Sequence, residues 1–555
     1  MKKLKKEDLI NILILIIFVN LFYFTITKNG FIYGSTTDWK DQHYLFAEYF
    51  RNLFYETKQL IPEFALNIGG GQNIFNFAYY GLFNPIILIS YLLPNVKMID
   101  YVITSSVIVV IISVLLFYKL LKNNKLPSHI CFIASFLFMC ASPILFHSHR
   151  HIMFINYIPF LILGLIGTDK FIKENKPLLL TISTILIILT SYYYSICSIC
   201  VMVIYYIYKQ PIPKENIKSI IINFIKYLYF IFIGVLITGF FLLPTFSSIM
   251  TGRVSTTKSI NLLELIIPTP NIGNILYDEY SMGLTFISIC ALLYFAKGKE
   301  KQNKILSIIL LVVTIIPVFM YILNGTLYVN AKILIPFIPL MCLNSANFIK
   351  ELDSKKINLK YILIIILLIT LVSTLLKYYD IKLLLIDIVL TMIFFLVYSD
   401  KRKYGIILLI IGAALSLQNA NKKEVLYSIK DYNKDFNISI EETINKIQKH
   451  DSSFYRINNN LSKLSTVNKI YNINYYQSSL YSSTYNGLYN NFYNNIFSTE
   501  IPYRNAVINS ETNNILFQIF MGEKYIITNN GEKIGYEKLN FAKTYENKYV
   551  KKITY

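Results

Sequence analysis

Charged residues are scarce in this chain: Asp, Glu, Lys and Arg make up 15% of its 555 residues, against 54% hydrophobic residues. A soluble protein of this length needs a more polar surface, so the composition excludes an ordinary soluble enzyme and indicates a polytopic membrane protein. Acidic residues are fewer than basic residues, 32 against 53, and the formal net charge is +21. The basic residues lie in short clusters between apolar runs, as in cytoplasmic loops, so we expect contact with the lipid bilayer and no nucleic acid partner.

Several chemical signatures are also missing. The six cysteines all fall inside apolar runs, where thiols pack as small apolar groups, so no disulfide framework is predicted. No P-loop, GxSxG or helical HExxH motif occurs, which leaves ATP-driven transport and these hydrolase classes without support. Ionisable residues are nearly missing from the predicted spans, which argues against a carrier driven by ions or protons.

The apolar runs and the lysines between them predict the topology. Runs suitable for a span lie near 9–27, 100–121, 128–146, 151–168, 177–191, 193–208, 219–243, 281–296, 303–323, 331–348, 359–377, 381–398 and 404–418. A further run, 78–94, is short and interrupted by Asn84-Pro85. If it does not cross, Lys and Arg concentrate on one side, which gives about 13 spans with a cytoplasmic N-terminus and an external C-terminus.

The pattern changes after Ser416, where the chain becomes polar and rich in Asn, Tyr and Ser. SIEETINKIQKH (439–450) and NNILFQIFMG (513–522) predict helices, the second ended by a glycine. FYRINNN (454–460) and KYIITNN (524–530) predict strands. We therefore predict a multispan transmembrane domain over 1–418 and an extracytoplasmic α/β domain over 419–555.

Asp38 lies in TTDWKDQH, directly after the first predicted span and before the chain's only tryptophan, Trp39. A carboxylate is costly to hold near lipid, so this position is a functional candidate. Asp38 either caps a helix that begins near Trp39 or acts as a general base on an acceptor hydroxyl. Asp41 follows one helical turn later and either shares the site, holds a divalent cation or is solvated surface.

Histidines and arginines gather on the same predicted outer side. His147, His149 and His151 alternate, which suits a metal ion or a phosphate, although histidines at a membrane boundary are commonly structural. Arg150 and Arg253 either hold a phosphate or extend to lipid headgroups.

Two further outer segments each have two interpretations. Residues 67–72 (NIGGGQ) either present backbone N–H groups to an anion or form a turn. Tyr192, Tyr193 and Tyr194 either stack on a sugar or an isoprenoid, or belong to the aromatic belt of the interface.

The order of TTDWKDQHYLFAEYF, NIGGGQNIFNFAYYGLFNPIILISYLLP, HIMFINYIPFLILGL, SYYYSIC and LNGTLYVNAK resembles the YfhO-type bacterial membrane proteins. FYRINNN, YYQSSLYSSTYN and FMGEKYIIT resemble the C-terminal region of the same family. The resemblance implies a GT-C-type glycosyltransferase of the plasma membrane. Such an enzyme takes a polyprenyl-phosphate-linked sugar at the outer face and glycosylates a cell-surface polymer such as teichoic acid.

The resemblance also implies roles for individual residues. The catalytic Asp of the first outer loop falls on Asp38, and Gln42 completes a D-x-x-x-Q pattern. Arg253, together with Arg150 or Lys332, would hold the donor phosphate; Lys332 stands where the family tends to have Arg. The residues expected to contact substrate are Asp41, Gln42, His147, His151, Tyr193, Arg253, Asn324 and Lys332.

No resident metal site is assigned, and a divalent cation is the one cofactor left open. A second hypothesis is a flippase or exporter of a lipid-linked saccharide, in which the outer loops form an exit gate. A third is an envelope-assembly scaffold that acts through the C-terminal domain.

Overall fold

The fold of the chain is described by a computed structural model. It describes residues 5–210, 217–252, 262–354, 364–365, 367–369, 380–398, 401–436, 438–460, 467–498, 501, 503–504, 506–509, 512, 514–528, 536–538 and 549–553. The contacts divide the chain into two compact units. The first comprises Met1–Thr25, Thr104–Gly239 and Thr256–Glu424, and the second comprises Ile26–Ile103, Phe240–Ser255 and Val425–Tyr555.

The first unit is mainly helical among its described residues, because long apolar segments can satisfy their backbone groups within lipid only as helices. Its α-helices are Lys6–Thr27, Met98–Asn123, Ser128–Met139, Ser142–Phe146, Ile158–Glu174, Leu178–Thr190, Tyr192–Lys209, Ile217–Ile237, Leu262–Ile266, Phe286–Lys297, Lys301–Ile315, Pro317–Leu323, Ile338–Asp353, Ile381–Tyr398 and Arg402–Asn421. Short 3₁₀ segments lie at Ile152–Phe154, Ile272–Asn274 and Ala331–Phe337. One isolated β-bridge joins Leu276 to Leu284.

Seven helices of the described residues are long and apolar enough to cross a membrane, or up to nine if each of two bent pairs is one span. This agrees with a polytopic membrane protein, and the count of 13 stays a prediction. The predicted span 359–377 lies mostly outside the described residues. The run 78–94 is not one continuous helix, because Ile74–Tyr80 and Pro85–Leu92 are bent by 100°. That it stays on one side of the membrane remains a prediction.

The candidate span Ile381–Tyr398 contains a buried carboxylate, Asp387. Asp387 is buried and accepts hydrogen bonds from the Tyr277 hydroxyl and the Phe286 backbone N–H, both at 2.7 Å. Phe286 is the first residue of its helix, where N–H groups have no intrahelical acceptor. Asp387 therefore ties two helices together.

The second unit mixes strands and helices. A four-stranded sheet has the order Arg456–Asn459, Glu523–Thr528, Tyr549–Ile553 and Tyr536–Lys538, with the first pair parallel and the others antiparallel. Three two-stranded antiparallel pairs join Phe31–Ser35 to Leu426–Ser428, Phe64–Ala65 to Gln72–Asn73, and Leu480–Tyr481 to Val507–Ile508. The helices are Trp39–His43, Tyr44–Thr57, Ile74–Tyr80, Pro85–Ile89, Ser90–Leu92, Gly239–Gly252, Ile429–Asp435, Ile438–His450, Gly487–Asn491, Phe492–Ile496 and Ile515–Met521.

Four local predictions for the C-terminal region are confirmed. The expected helices are Ile438–His450 and Ile515–Met521, and the expected strands are Arg456–Asn459 and Glu523–Thr528. Gly522 ends the second helix with a left-handed φ of 64°, which glycine adopts without steric cost. The division into domains at 418/419 and the extracytoplasmic position of 419–555 stay predictions.

Candidate functional site

Asp38 lies in a sharp turn between the strand Phe31–Ser35 and the helix Trp39–His43. Its φ of 57° and ψ of −43° are unfavourable for any residue except glycine. The Trp39 N–H donates to the Thr37 carbonyl at 2.5 Å, which makes this a γ-turn of the rare positive-φ form. A conformation of this kind persists only where its surroundings impose it, and it concentrates at functional sites.

Tight packing of Trp39 holds the turn in place. The indole is fully buried and lies against Gly34, where an added Cβ would come within 2.4 Å of the ring. The Asp38 carbonyl accepts the N–H groups of Gln42 and His43, at 2.9 and 3.0 Å, and so starts a single π-helical turn. The Asp38 side chain makes no capping bond. The interpretation of Asp38 as a side-chain cap is therefore wrong.

The Asp38 carboxylate is oriented by a tyrosine from the other end of the chain. The Tyr481 hydroxyl donates to Asp38 Oδ1 at 3.0 Å. Buried Asn468 fixes Tyr481, since its amide donates to the Tyr481 carbonyl at 2.8 Å and accepts the Tyr481 N–H at 2.9 Å. The same amide donates to the Asp41 carbonyl at 2.8 Å. One asparagine thus holds both the tyrosine and the backbone of the turn.

Asp41 is not a solvated surface residue. Its Oδ1 is buried and has no hydrogen-bond partner among the described residues. Burial raises the pKa of Asp41 to about 7, and the charge of Asp38 acts in the same direction, whereas Lys40 and Arg504 oppose it. Lys40 is itself paired with Asp435 at 3.1 Å. A carboxyl that titrates near neutral pH beside Asp38 suits proton-transfer chemistry.

Three neighbours complete this site in the second unit. Gln42 is buried, and its amide donates to the Tyr481 carbonyl at 3.4 Å. The Tyr80 hydroxyl accepts the Ser483 N–H at 2.9 Å, and burial raises the pKa of Tyr80. Arg504 is exposed and lies 6.0 Å from the Tyr481 ring. Sequence reasoning missed Tyr481, Tyr80 and Arg504, because no local pattern connects them to Asp38.

The glycine segment 67–72 is a structured turn. The N–H groups of Gly69, Gly70 and Gly71 donate to the carbonyls of Ser479, Gln477 and Ile68, at 3.1, 3.1 and 3.0 Å. All three glycines have positive φ, so the turn requires residues without a Cβ. These N–H groups are not available to an anion, and that interpretation of the segment is wrong.

The histidine loop, residues 147–151, belongs to the first unit, where His147 and Arg150 bond to partners from other segments. His147 Nε2 lies 2.8 Å from the Glu279 carbonyl, so this nitrogen carries a proton. His147 Nδ1 lies 3.3 Å from His151 Nδ1. Burial, followed by the neighbouring His151, lowers the pKa of His147 well below its usual range. His147 is therefore neutral and accepts a hydrogen bond from His151. Among the described residues, no group of three or more His, Cys, Asp or Glu side chains could hold a metal ion.

Arg150 is also held by the protein. Its guanidinium forms an ion pair with Glu424, whose side chain is 1% exposed. A phosphate would have to displace the buried Glu424 carboxylate from this ion pair, at a high cost. Arg150 is therefore a structural residue in this geometry.

Three predicted substrate residues do meet in the first unit. The Tyr193 hydroxyl donates to Asn324 Oδ1, and the Asn324 amide donates to the Tyr328 carbonyl at 2.7 Å. Lys332 donates to the Tyr328 hydroxyl at 3.1 Å, and its ammonium lies 4.9 Å from the Tyr193 ring centroid. No carboxylate of the described residues pairs with Lys332, which is partly exposed. This ammonium between tyrosine rings suits a phosphate.

The predicted site residues thus fall in both units. Asp38, Asp41 and Gln42 lie in the second unit, whereas the histidines, Tyr193, Asn324 and Lys332 lie in the first. Arg253 lies outside the described residues.

Comparison with known proteins identifies a family. The family model described as bacterial membrane protein YfhO matches residues 10–554. No curated protein gives a significant match to the chain.

Proposed function

The chain belongs to the YfhO family of bacterial membrane proteins, and from this premise we propose that it is a membrane glycosyltransferase of the GT-C type. It moves a sugar from a polyprenyl-phosphate donor to a hydroxyl of a cell-surface polymer, such as teichoic acid, at the outer face of the plasma membrane. The observation that carries the proposal is the Asp38 turn, where a carboxylate in an unfavourable backbone conformation lies beside a second, buried carboxyl.

In the proposed reaction, Asp38 takes the proton of the acceptor hydroxyl as that oxygen attacks the anomeric carbon of the donor sugar. The new C–O bond forms as the bond between the anomeric carbon and the phosphate oxygen breaks. The polyprenyl phosphate leaves with the bonding electron pair. Because the acceptor oxygen attacks from the face opposite the phosphate, the configuration at the anomeric carbon inverts. Tyr481 holds the Asp38 carboxylate in one orientation through its hydrogen bond to Oδ1. This orientation lowers the entropic cost of reaching the reactive geometry.

The departing phosphate gains negative charge, and a fixed cation lowers the energy of that state. Lys332 supports this role, because its ammonium is partly exposed and lacks a carboxylate partner among the described residues. Arg253 is the other proposed phosphate ligand. Arg150 is not proposed, because Glu424 already holds it.

The test is sugar transfer by the full chain in lipid nanodiscs, with a labelled polyprenyl-phosphate hexose and extracted teichoic acid as the acceptor. Asp38→Asn should lower the rate about a hundredfold, as expected for a missing general base. Asn tolerates positive φ better than most residues, so the melting temperature should change little. Asp431→Asn is the matched control, because Asp431 is an exposed acid of the same unit.

Equal transfer by wild type and Asp38→Asn would remove Asp38 from the chemistry. If the wild type transfers none of several hexoses, the flippase hypothesis becomes the better one.

A further inference from the structure

A cleft of about 820 Å³ opens in the second unit. It lies between the helix Gly239–Gly252, the region of Asn73 and the start of the helix Gly487–Asn491. Its volume is within the range of small-molecule sites. The described residues that line it include asparagine, serine and threonine but no charged side chain.

The helix that forms one wall has two different faces. Ser247, Ser248 and Thr251 line the cleft. Leu243 and Met250 do not line the cleft and are 74% and 70% exposed. In a membrane protein an exposed apolar helix face contacts lipid. The cleft is therefore lined by polar residues of a helix that also carries exposed apolar side chains suited to lipid.

Three asparagines present hydrogen-bond donors to the cleft. The side-chain oxygens of Asn73 and Asn486 each accept a backbone N–H two residues later, at 2.9 and 3.0 Å. The oxygen of Asn490 accepts the Asn494 amide at 2.8 Å. Each carboxamide is thereby oriented, and its NH₂ group has no partner in the part of the chain that the structure describes. These are fixed, uncharged donors.

We propose that this cleft binds a neutral saccharide. The free amides would donate to sugar oxygens, and the Ser247 hydroxyl would donate to or accept from sugar hydroxyls. The Thr251 hydroxyl donates to the Ser247 carbonyl at 3.0 Å and would accept from a sugar hydroxyl. The half-exposed ring of Phe64 provides an apolar surface for the C–H face of a pyranose. An anionic ligand would instead need Arg or Lys, and neither is among the described residues that line the cleft.

The cleft is connected to the Asp38 site within the same unit. Asn76 lines the cleft, and Tyr80 lies one turn later on the helix Ile74–Tyr80. Tyr80 bonds to Ser483, two residues after the tyrosine that contacts Asp38. The assignment of the bound sugar as a substrate rests on the proposed transferase function, whereas the binding itself does not.

The test is a titration of the full chain in nanodiscs by saturation-transfer NMR, with methyl glycosides of glucose, galactose and N-acetylglucosamine. Asn73→Asp together with Asn486→Asp keeps both oxygens that accept backbone N–H groups and removes both donors. This variant should bind about tenfold more weakly. Asn491→Asp is the matched control, because Asn491 adjoins the cleft without lining it, and its binding should equal that of wild type.

The wild type should bind at least one neutral glycoside saturably and methyl glucuronide more weakly. Absence of saturable binding, unchanged binding by the double variant, or preference for the glucuronide would each overturn the proposal. Asp38→Asn should bind the glycoside with the same affinity as wild type. Saccharide binding can therefore be established even if the transferase proposal fails. Octyl glucoside below its micellar concentration separates two sources: tighter binding than the methyl glycoside indicates a lipid-borne sugar, and equal binding indicates a polymer-borne sugar.

Discussion

The turn at Asp38 and the histidine loop at 147–151 are both polar segments that the sequence predicts at the outer face, but their chemistry differs. In the histidine loop, His147 bonds to the Glu279 carbonyl and Arg150 pairs with buried Glu424. At the Asp38 turn the backbone is strained, and one Asp41 oxygen is buried without a partner among the described residues.

The difference separates structural polar clusters from reactive ones. Groups that already bond to protein partners, as His147 and Arg150 do, stabilise the fold and have little left to offer a substrate. A site with a strained backbone and a buried carboxyl oxygen that lacks a hydrogen bond persists only because the surrounding structure imposes it. Free energy is lost in this way mainly at functional positions. The predictions below test this contrast, beginning with the largest effect on stability.

Arg150→Met should destabilise the protein by about 3–5 kcal/mol, because it removes the ion-pair partner of the buried Glu424 carboxylate. Thermal unfolding in detergent measures this. Adding Glu424→Gln should restore most of the loss, and transfer per folded molecule should stay near that of wild type. If Arg150→Met melts like wild type but transfers sugar poorly, Arg150 contacts the substrate and is not a structural residue.

Asp41→Asn should change how stability depends on pH. Burial raises the Asp41 pKa from 3.8 to about 7, so the folded protein holds this proton to higher pH than the unfolded chain. The stability from the protonated carboxyl is complete below about pH 4 and is lost as pH rises through about 7. The melting temperature of Asp41→Asn relative to wild type should therefore rise between pH 5 and pH 8. A melting-temperature difference that stays constant with pH would show that Asp41 is ionised throughout.

Asp38→Gly should produce the smallest effect on stability and in the opposite direction. Glycine adopts φ of 57° freely, so relief of strain should stabilise the protein by about 1 kcal/mol. Activity should fall at least as far as in Asp38→Asn. The melting temperature and the transfer rate of the same preparation measure both. A lower melting temperature would mean that the Tyr481 contact outweighs the strain.

Local patterns predicted much of the architecture. Apolar runs indicated membrane helices, and a glycine after an apolar segment predicted the end of the helix Ile515–Met521. The position of Asp38 at the predicted membrane boundary directed attention to it, and its joint role with Asp41 and Gln42 stays a prediction.

Long-range partners could not be read from the sequence. Glu424 meets Arg150 across 274 positions, and Tyr481 meets Asp38 across 443. The π-helical turn after Asp38 arises from the packing of Trp39 against Gly34 and not from residue propensity. The neutral cleft is assembled from three distant segments, each of which is unremarkable alone.

The pairing of Phe31–Ser35 with Leu426–Ser428 has a consequence for biosynthesis. Ribosomes add about 5–20 residues per second, so the first strand waits on the order of tens of seconds before its partner is made. During that time its N–H and C=O groups are open to other chains. The Asp38 turn reaches its final form only when the last quarter of the protein arrives, so a stalled or shortened product is inserted in the membrane without its tyrosine-bonded carboxylate.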